Sequence, residues 1–337
     1  FFCMNKAQTI DKTNFKKIKT IGRGTSSFVD LVEEITTGKQ YAMKYIFNNQ
    51  RNISTQEVNS YIKIDNPNIL KFYGYDFSDQ KKLVLLLEYM PNGSLESVLK
   101  KMKSKIPPPN FTGTKKYIIL KGIAQGMKYL HSQSIIHRDL KTGNILLDEN
   151  FYPKICDFGI SYVSDLPCSI VRMDGSVGTP LYESPEILGK QSYSYKIDIY
   201  SFALIAYELI TGKTPFEGST KWQIYKNVED GIRPDISNLP QYIQEFFNKC
   251  WSSDPMKRPT FDDIINMLDY SCFKLIFEPD YDEVHHYDAL YFDKSIMEID
   301  INKAIEKGND DDIYSYGLLH FYRSSSLYDK KEALKYI

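Results

Sequence analysis

The chain has 337 residues, 42% hydrophobic and 25% charged, which supplies a sizeable core and suggests two domains or one two-lobed domain at about 150 residues per domain. Its 43 acids and 42 bases leave a net charge of −1, which argues against a general nucleic-acid or membrane-surface binder. The five Cys are scattered without a C-x-x-C pair, which argues against a disulfide framework or zinc site and fits a reducing, cytoplasmic setting.

No apolar run approaches the length of a membrane span, and the first residues, FFCMNKAQ, lack the apolar segment of a signal peptide. From residue 15 to 47 the pattern predicts strand, Gly-rich turn, strand, turn, strand: FKKIKTIG, FVDLVEEI, TTGK and QYAMKYI. Residues 53 to 64 carry Val58, Tyr61 and Ile62 at helical spacing and stop before Asn66-Pro67. LVLLLEY at 83 to 89 is a short apolar strand, followed by PNGS. Beyond it the chain is mainly helical. YIILKGIAQGMKYLHS and YSFALIAYELIT both read as buried helices, the second too short for a membrane span. A sheet-rich N-lobe thus precedes a larger helical C-lobe, with a hinge near 88 to 93.

Four groups of residues carry chemistry. Gly22-x-Gly24 sits between two predicted strands, where glycines let backbone N–H groups approach phosphate oxygens; alone it also fits an ordinary hairpin turn. It is neither a Walker loop, since no Gly-Lys-Ser/Thr follows, nor a Rossmann fingerprint, since a strand follows. Lys44 lies on an interior strand and needs an anionic partner, for which Glu57 is the candidate, unless its ammonium snorkels to solvent. In His137-Arg138-Asp139-Leu140-Lys141-x-x-Asn144, Asp139 can accept a proton from a hydroxyl and Lys141 can neutralise a moving phosphoryl group. Asn144 and Asp157, the latter in Asp157-Phe158-Gly159, offer hard oxygens to Mg²⁺.

These elements and a following Ser184-Pro185-Glu186 occur in the order of the eukaryotic protein kinase signature set, and the sequence from about 12 to 270 resembles that family. The resemblance implies an α+β, bilobal protein kinase fold. Its N-lobe (12–88) is a five-stranded antiparallel sheet plus helix C, its hinge spans 88–93, and its mainly helical C-lobe (94–272) completes a domain of 12–272. It also implies ATP with Mg²⁺ (or Mn²⁺) as cofactors and protein substrates as partners. Lys44 resembles the Lys that holds the α/β-phosphates, and Glu57 its ion-pair partner. Asp139 matches the catalytic Asp, while Asn144 and Asp157 match the metal ligands. Ile21, Gly22, Gly24, Val29, Ala42 and Leu146 match the nucleotide-binding walls. Leu87 falls at the gatekeeper, and the backbone of Glu88 and Met90 at the adenine contacts. Asp198 resembles the brace of the catalytic loop, and Arg258 the buried partner of Glu186. Phe158 with Tyr61, Phe72 and His137 is expected to form an apolar column.

The sequence departs from the family pattern at three positions. Ser27 takes the third glycine position, Ser184 replaces an Ala, and Ala203 stands where Gly often follows S-F. Lys141 and Gly178-Thr179-Pro180-x-Tyr182 look like Ser/Thr kinases, with Thr179 bonding the catalytic Asp and Lys. Cys250-Trp251 and Arg258-Pro259-Thr260-Phe261 look like tyrosine kinases. The mixture resembles the tyrosine-kinase-like branch, which implies Ser/Thr phosphorylation, with dual-specificity or tyrosine phosphorylation and an ATP-binding scaffold as alternatives. In the family an Arg at position 138 often pairs with an activation-loop phosphate, for which Ser169 and Ser176 are candidates alongside the hydroxyl of Thr179.

Residues 273–297, acidic and aromatic, read as a linker. Residues 298–337 weakly resemble Sel-like helical repeats related to tetratricopeptide units, a short all-α tail with a protein partner of its own. Since the pattern still runs at Ile337 and the first residue is Phe, the expectation is that the native protein is longer.

Overall fold

The computed structural model describes residues 8–24, 27–47, 58, 60–79, 82–163, 171, 179–270 and 273–291. Its N-terminal part is a sheet of β1 (Gln8–Thr9), β2 (Phe15–Arg23), β3 (Ser27–Glu34), β4 (Gln40–Phe47), β5 (Phe72–Asp76) and β6 (Lys82–Glu88). The spatial order is β1-β5-β6-β4-β3-β2. All pairs are antiparallel except β1 with β5. The expectation of a five-stranded antiparallel sheet is therefore corrected to six strands among the described residues, with one parallel edge pair. Two residues are too few to show the alternation by which a strand is read from sequence. Here the register is fixed by pairing with β5 and by the Ile10 N–H on the Tyr75 carbonyl.

Register decides what this sheet presents. Lys44 pairs with Val29 on one side and Leu85 on the other, and Ala42 pairs with Leu87. Since side chains alternate with a period of two, Ala42 and Lys44 share one face. Val58 and residues 60–63 are helical, with Val58, Ser60 and Tyr61 buried. The rest of the expected helix C, Glu57 included, lies outside the described residues.

Two buried helices set the C-lobe. Gly113–Ser132 starts at Thr112, whose side chain accepts from the Lys115 N–H. Lys196–Thr211 is buried along most of its length and ends at Gly212 in the left-handed region (φ 70°), where glycine carries no Cβ penalty. The apolar run had suggested a start at 200; the helix begins at Lys196, whose ammonium is buried on the carbonyls of Arg258 and Pro259. Two small ribbons, Ile145–Leu147 with Pro153–Ile155 and Ile135–Ile136 with Tyr162–Val163, flank the segments 137–144 and 156–161. The hinge is tied to the first ribbon: the Leu147 N–H donates to the Gly93 carbonyl, and the Asn92 amide to the Asp148 carbonyl.

Beyond the C-lobe the linker reading fails for the described part of 273–297. Phe273–Phe277 and Tyr281–Tyr291 are helices, with Phe273, Phe277, Val284, Tyr287 and Ala289 in the core. The alternation of acids and aromatics reflects a helix with one buried face. The repeat-like stretch 298–337 lies outside the described residues.

One buried ion pair closes the C-lobe. The Arg258 guanidinium, 1% exposed, grips Glu186 with both nitrogens at 2.7 and 2.8 Å and also bonds the carbonyls of Ser252 and Lys196. Removing one partner strands the other charge in the interior. Arg258→Ala is expected to lower unfolding free energy by about 3–5 kcal/mol, measured by urea denaturation.

Candidate active site

The two lobes meet at a cleft of about 740 Å³. Its lining includes Ile21, Gly22, Gly24, Val29, Ala42, Lys44, Leu87, Glu88, Met90 and Leu146, together with Asn144 and Asp157. Every residue expected to bind nucleotide or metal therefore faces one cavity. Sequence reasoning missed Tyr61, Ser97, Lys101 and Cys156 in the same lining. The Glu88 N–H is already given to the Lys71 carbonyl, so Glu88 can offer a purine only its carbonyl. The Met90 carbonyl takes the Gly93 N–H.

Below the cleft, Asp198 organises the loop that holds Asp139. It is fully buried, and its carboxylate accepts the backbone N–H groups of His137 (3.0 Å) and Arg138 (3.1 Å) and faces His131 Nε2 at 2.9 Å. Arg138 sits in the left-handed region at φ 67°, a conformation a non-glycine residue keeps only when its surroundings enforce it. Its guanidinium bonds the Ile160 carbonyl and, at 2.9 Å, the Tyr193 hydroxyl. The activation-loop candidates Ser169 and Ser176 lie outside the described residues.

Asp139 is the meeting point of three groups. Lys141 Nζ lies 2.6 Å and Asn144 Nδ2 3.0 Å from its Oδ2, and the Thr179 hydroxyl donates to its Oδ1 at 2.8 Å. Lys141 also donates to Thr179 at 2.7 Å, closing a ring of Asp, Lys and Thr. The Asn144 amide nitrogen donates to the Asp139 carbonyl and to its Oδ2, so Asn144 Oδ1 is the atom left for a cation. Asp157, also left-handed at φ 70°, lies 3.0 Å from Lys44. The Lys44 ammonium holds the Asp157 carboxyl below the usual carboxylate range, against the opposing effect of burial. The proposed Lys44–Glu57 pair cannot be described, since Glu57 lies outside the described residues.

Phe158 is fully buried, with its ring centroid 5.0 Å from Tyr61 and 5.3 Å from His137; Tyr61 stacks on Phe72 at 5.4 Å. These rings form one apolar column running from the sheet to the catalytic loop. The Asp157 N–H donates to the Tyr61 hydroxyl at 3.4 Å, tying the helical segment 60–63 to the backbone of Asp157.

Two further buried carboxyls flank this region. Glu183 lies beside Asp139 in the same small cavity, and burial followed by the Asp139 charge pushes its pKa up to about 7. Sequence reasoning passed over Glu183, although it lies between Thr179 and Glu186. Glu208 accepts from the Tyr182 hydroxyl and is likewise raised to about 7, chiefly by burial. A carboxyl with a raised pKa keeps in the folded chain a proton that the unfolded chain has lost. Stability should therefore fall as pH rises from about 4.5 through about 7, and Glu208→Gln should flatten that slope in thermal melts at pH 5.5 and 8.

Comparison with known proteins points the same way. The sequence profile of the family described as "Protein kinase domain" matches residues 15–268. A probable serine/threonine-protein kinase of Dictyostelium discoideum is 42% identical over 188 residues, covering 55% of this chain and 20% of the relative. A dual specificity protein kinase of the same organism, pyk3, is 34% identical over 265 residues, covering 75% of this chain and 18% of the relative. The serine/threonine-protein kinase VIK of Arabidopsis thaliana is 33% identical over 270 residues, covering 76% of this chain and 60% of the relative. The match thus spans about a fifth of the length of these two Dictyostelium relatives.

Proposed function

The chain belongs to the protein kinase family, and we propose that it transfers the γ-phosphoryl group of Mg-ATP to Ser or Thr hydroxyls of protein substrates. The observation that carries this reading is the ring in which Asp139, Lys141 and Thr179 bond one another beside a cleft lined by Lys44, Asn144 and Asp157. The substrate hydroxyl oxygen forms a bond to the γ-phosphorus as the bond to the β–γ bridging oxygen breaks, and ADP leaves. Asp139 orients the hydroxyl and takes its proton. Lys141, already fixed by Asp139 and Thr179, stabilises charge on the moving group, and Lys44 holds the remaining phosphates.

The donor set suits a hard divalent cation. Asn144 Oδ1 and the Asp157 carboxylate, both in the cleft lining, would offer it oxygen. Among the described residues no group of three or more His, Cys, Asp or Glu could hold a metal. Two protein oxygens fit Mg²⁺, which shares its coordination with phosphates and water. When bound, it supplies charge neutralisation on the phosphates.

Ser/Thr preference rests on Lys141 and on the Thr179 hydroxyl shared with Asp139. Dual specificity is the second reading, because a relative carries that name. The tyrosine-kinase-like branch remains a proposal resting on Cys250-Trp251 and Arg258-Pro259-Thr260. The cytoplasm, a reducing compartment, is proposed from the five scattered Cys without a C-x-x-C pair. Among the described residues no helix is long and apolar enough to cross a membrane.

Asp139→Asn is expected to abolish labelling of a protein substrate from γ-labelled ATP while Mg-ATP affinity, read by calorimetry, stays within about threefold. Retention of transfer would overturn the assignment of Asp139. A positional peptide library should be labelled on Ser and Thr; dominant tyrosine labelling would replace the Ser/Thr reading.

A further inference from the structure

The helix Tyr281–Tyr291 lies outside the span that the family profile accounts for, 15–268. It is nevertheless built into the machinery of the cleft. Its Tyr287 is fully buried, with the ring set edge-on to Tyr152 at 5.0 Å, and its hydroxyl donates to Asn68 Oδ1 at 2.5 Å. Asn68 is 2% exposed and committed through every polar group. Its Nδ2 donates to Gln125, its N–H to the Asn66 side chain, and its carbonyl accepts the Ile155 N–H at 2.9 Å. Ile155 in turn accepts the Leu70 N–H at 2.9 Å. The segment 68–70 is therefore the rail along which Ile155 is laid, and Ile155 is two residues before Asp157.

The long helix Gly113–Ser132 has been opened to admit this contact. A Cβ on Gly122 would lie 2.2 Å from the Tyr287 hydroxyl oxygen and 2.6 Å from Pro153 Cγ, and one on Gly126 would lie 2.8 Å from Ile155 Cδ1. Glycine is a poor residue within a helix, and here the missing side chains form the notch in which Tyr287, Asn68 and Ile155 converge. Polar contacts fasten the helix on both sides of the notch. Lys121 bridges Asp288 (2.7 Å) and Asp269 (3.0 Å), Lys115 pairs with Glu283, and the Asp280 N–H donates to Thr114 Oγ1 at 2.9 Å.

We infer that Tyr287 is a positioning residue for the phosphoryl-transfer site: through Asn68 it fixes the strand Pro153–Ile155 and hence Asp157, making the helix Tyr281–Tyr291 a required part of the catalytic unit. This rests on the kinase reading above. The hydroxyl of Tyr287 does the holding, whereas its ring supplies packing, so the two roles are separable by a single oxygen.

The test is Tyr287→Phe in the full chain, which keeps the ring and leaves Asn68 Oδ1 without its donor. Hydrogen–deuterium exchange should show faster exchange at the Ile155 and Asp157 amides. Well below the melting temperature kcat/KM for Mg-ATP should fall roughly three- to tenfold. Gly122→Ala, which drives a methyl group into the same hydroxyl, should reproduce both changes. A lowered melting temperature with unchanged exchange at Ile155 and unchanged kcat/KM would show packing alone and overturn the inference. The exchange readout needs no activity. A wild-type chain that fails to transfer phosphate would therefore count against the kinase reading, while the exchange result still decides on Tyr287.

Discussion

The site depends on one buried carboxylate. Asp198 sits at the start of the most buried helix of the C-lobe and has no solvent to stabilise its charge. It is stabilised instead by backbone N–H groups of His137 and Arg138 and by His131. Hydrogen bonds to a charged acceptor are the stronger kind, and desolvation makes leaving one unmade costly. The catalytic loop therefore has one favourable placement, in which Arg138 is held at positive φ and Asp139 projects toward Lys141, Thr179 and Asn144. Loop geometry here is dictated by a helix about 60 residues further along the chain.

Charge in the cleft is largely neutralised within the protein. Lys44 leans on Asp157 and Lys141 on Asp139, so each of these two cations is already placed by a carboxylate. This explains how a chain with almost no net charge can bind a polyanion. Local, oriented charge does the work, and the global field need not. The ring column beneath, from Phe72 through Tyr61 and Phe158 to His137, couples the sheet to the loop by packing.

What could be read from sequence follows from how local the cause is. Lys44, Asp139, Asn144 and Asp157 could be named because their chemistry is fixed by residue type and short spacing, and all but Asp139 line one cleft. Ala42 and Leu87 were named only through the resemblance to the kinase family, and the face they share follows from the register of β4 with β6. Strand β1 was not, because two residues carry no period and its register comes from a partner more than 60 residues away. The helices after residue 272 were misread as linker because acids there look solvated. Asp288 and Glu283 are in fact matched by Lys121 and Lys115, some 170 residues earlier. The sequence reading gave no role to Gly122 and Gly126, because the groups that converge on them come from Tyr287, Pro153, Asn68 and Ile155, far along the chain.

Strand β1 has a consequence for how the molecule behaves among copies of itself. A sheet edge offers unpaired N–H and C=O groups to any passing strand. The short parallel strand occupies the rim beside β5. At the opposite rim β2 is largely exposed but studded with Lys16, Lys17 and Lys19, whose like charges oppose a second copy in register. The two margins of the N-lobe are thus guarded by different means, one by occupancy and one by repulsion. A protein at high local concentration would be kept from zipping into fibres at the lobe where its sheet is most open.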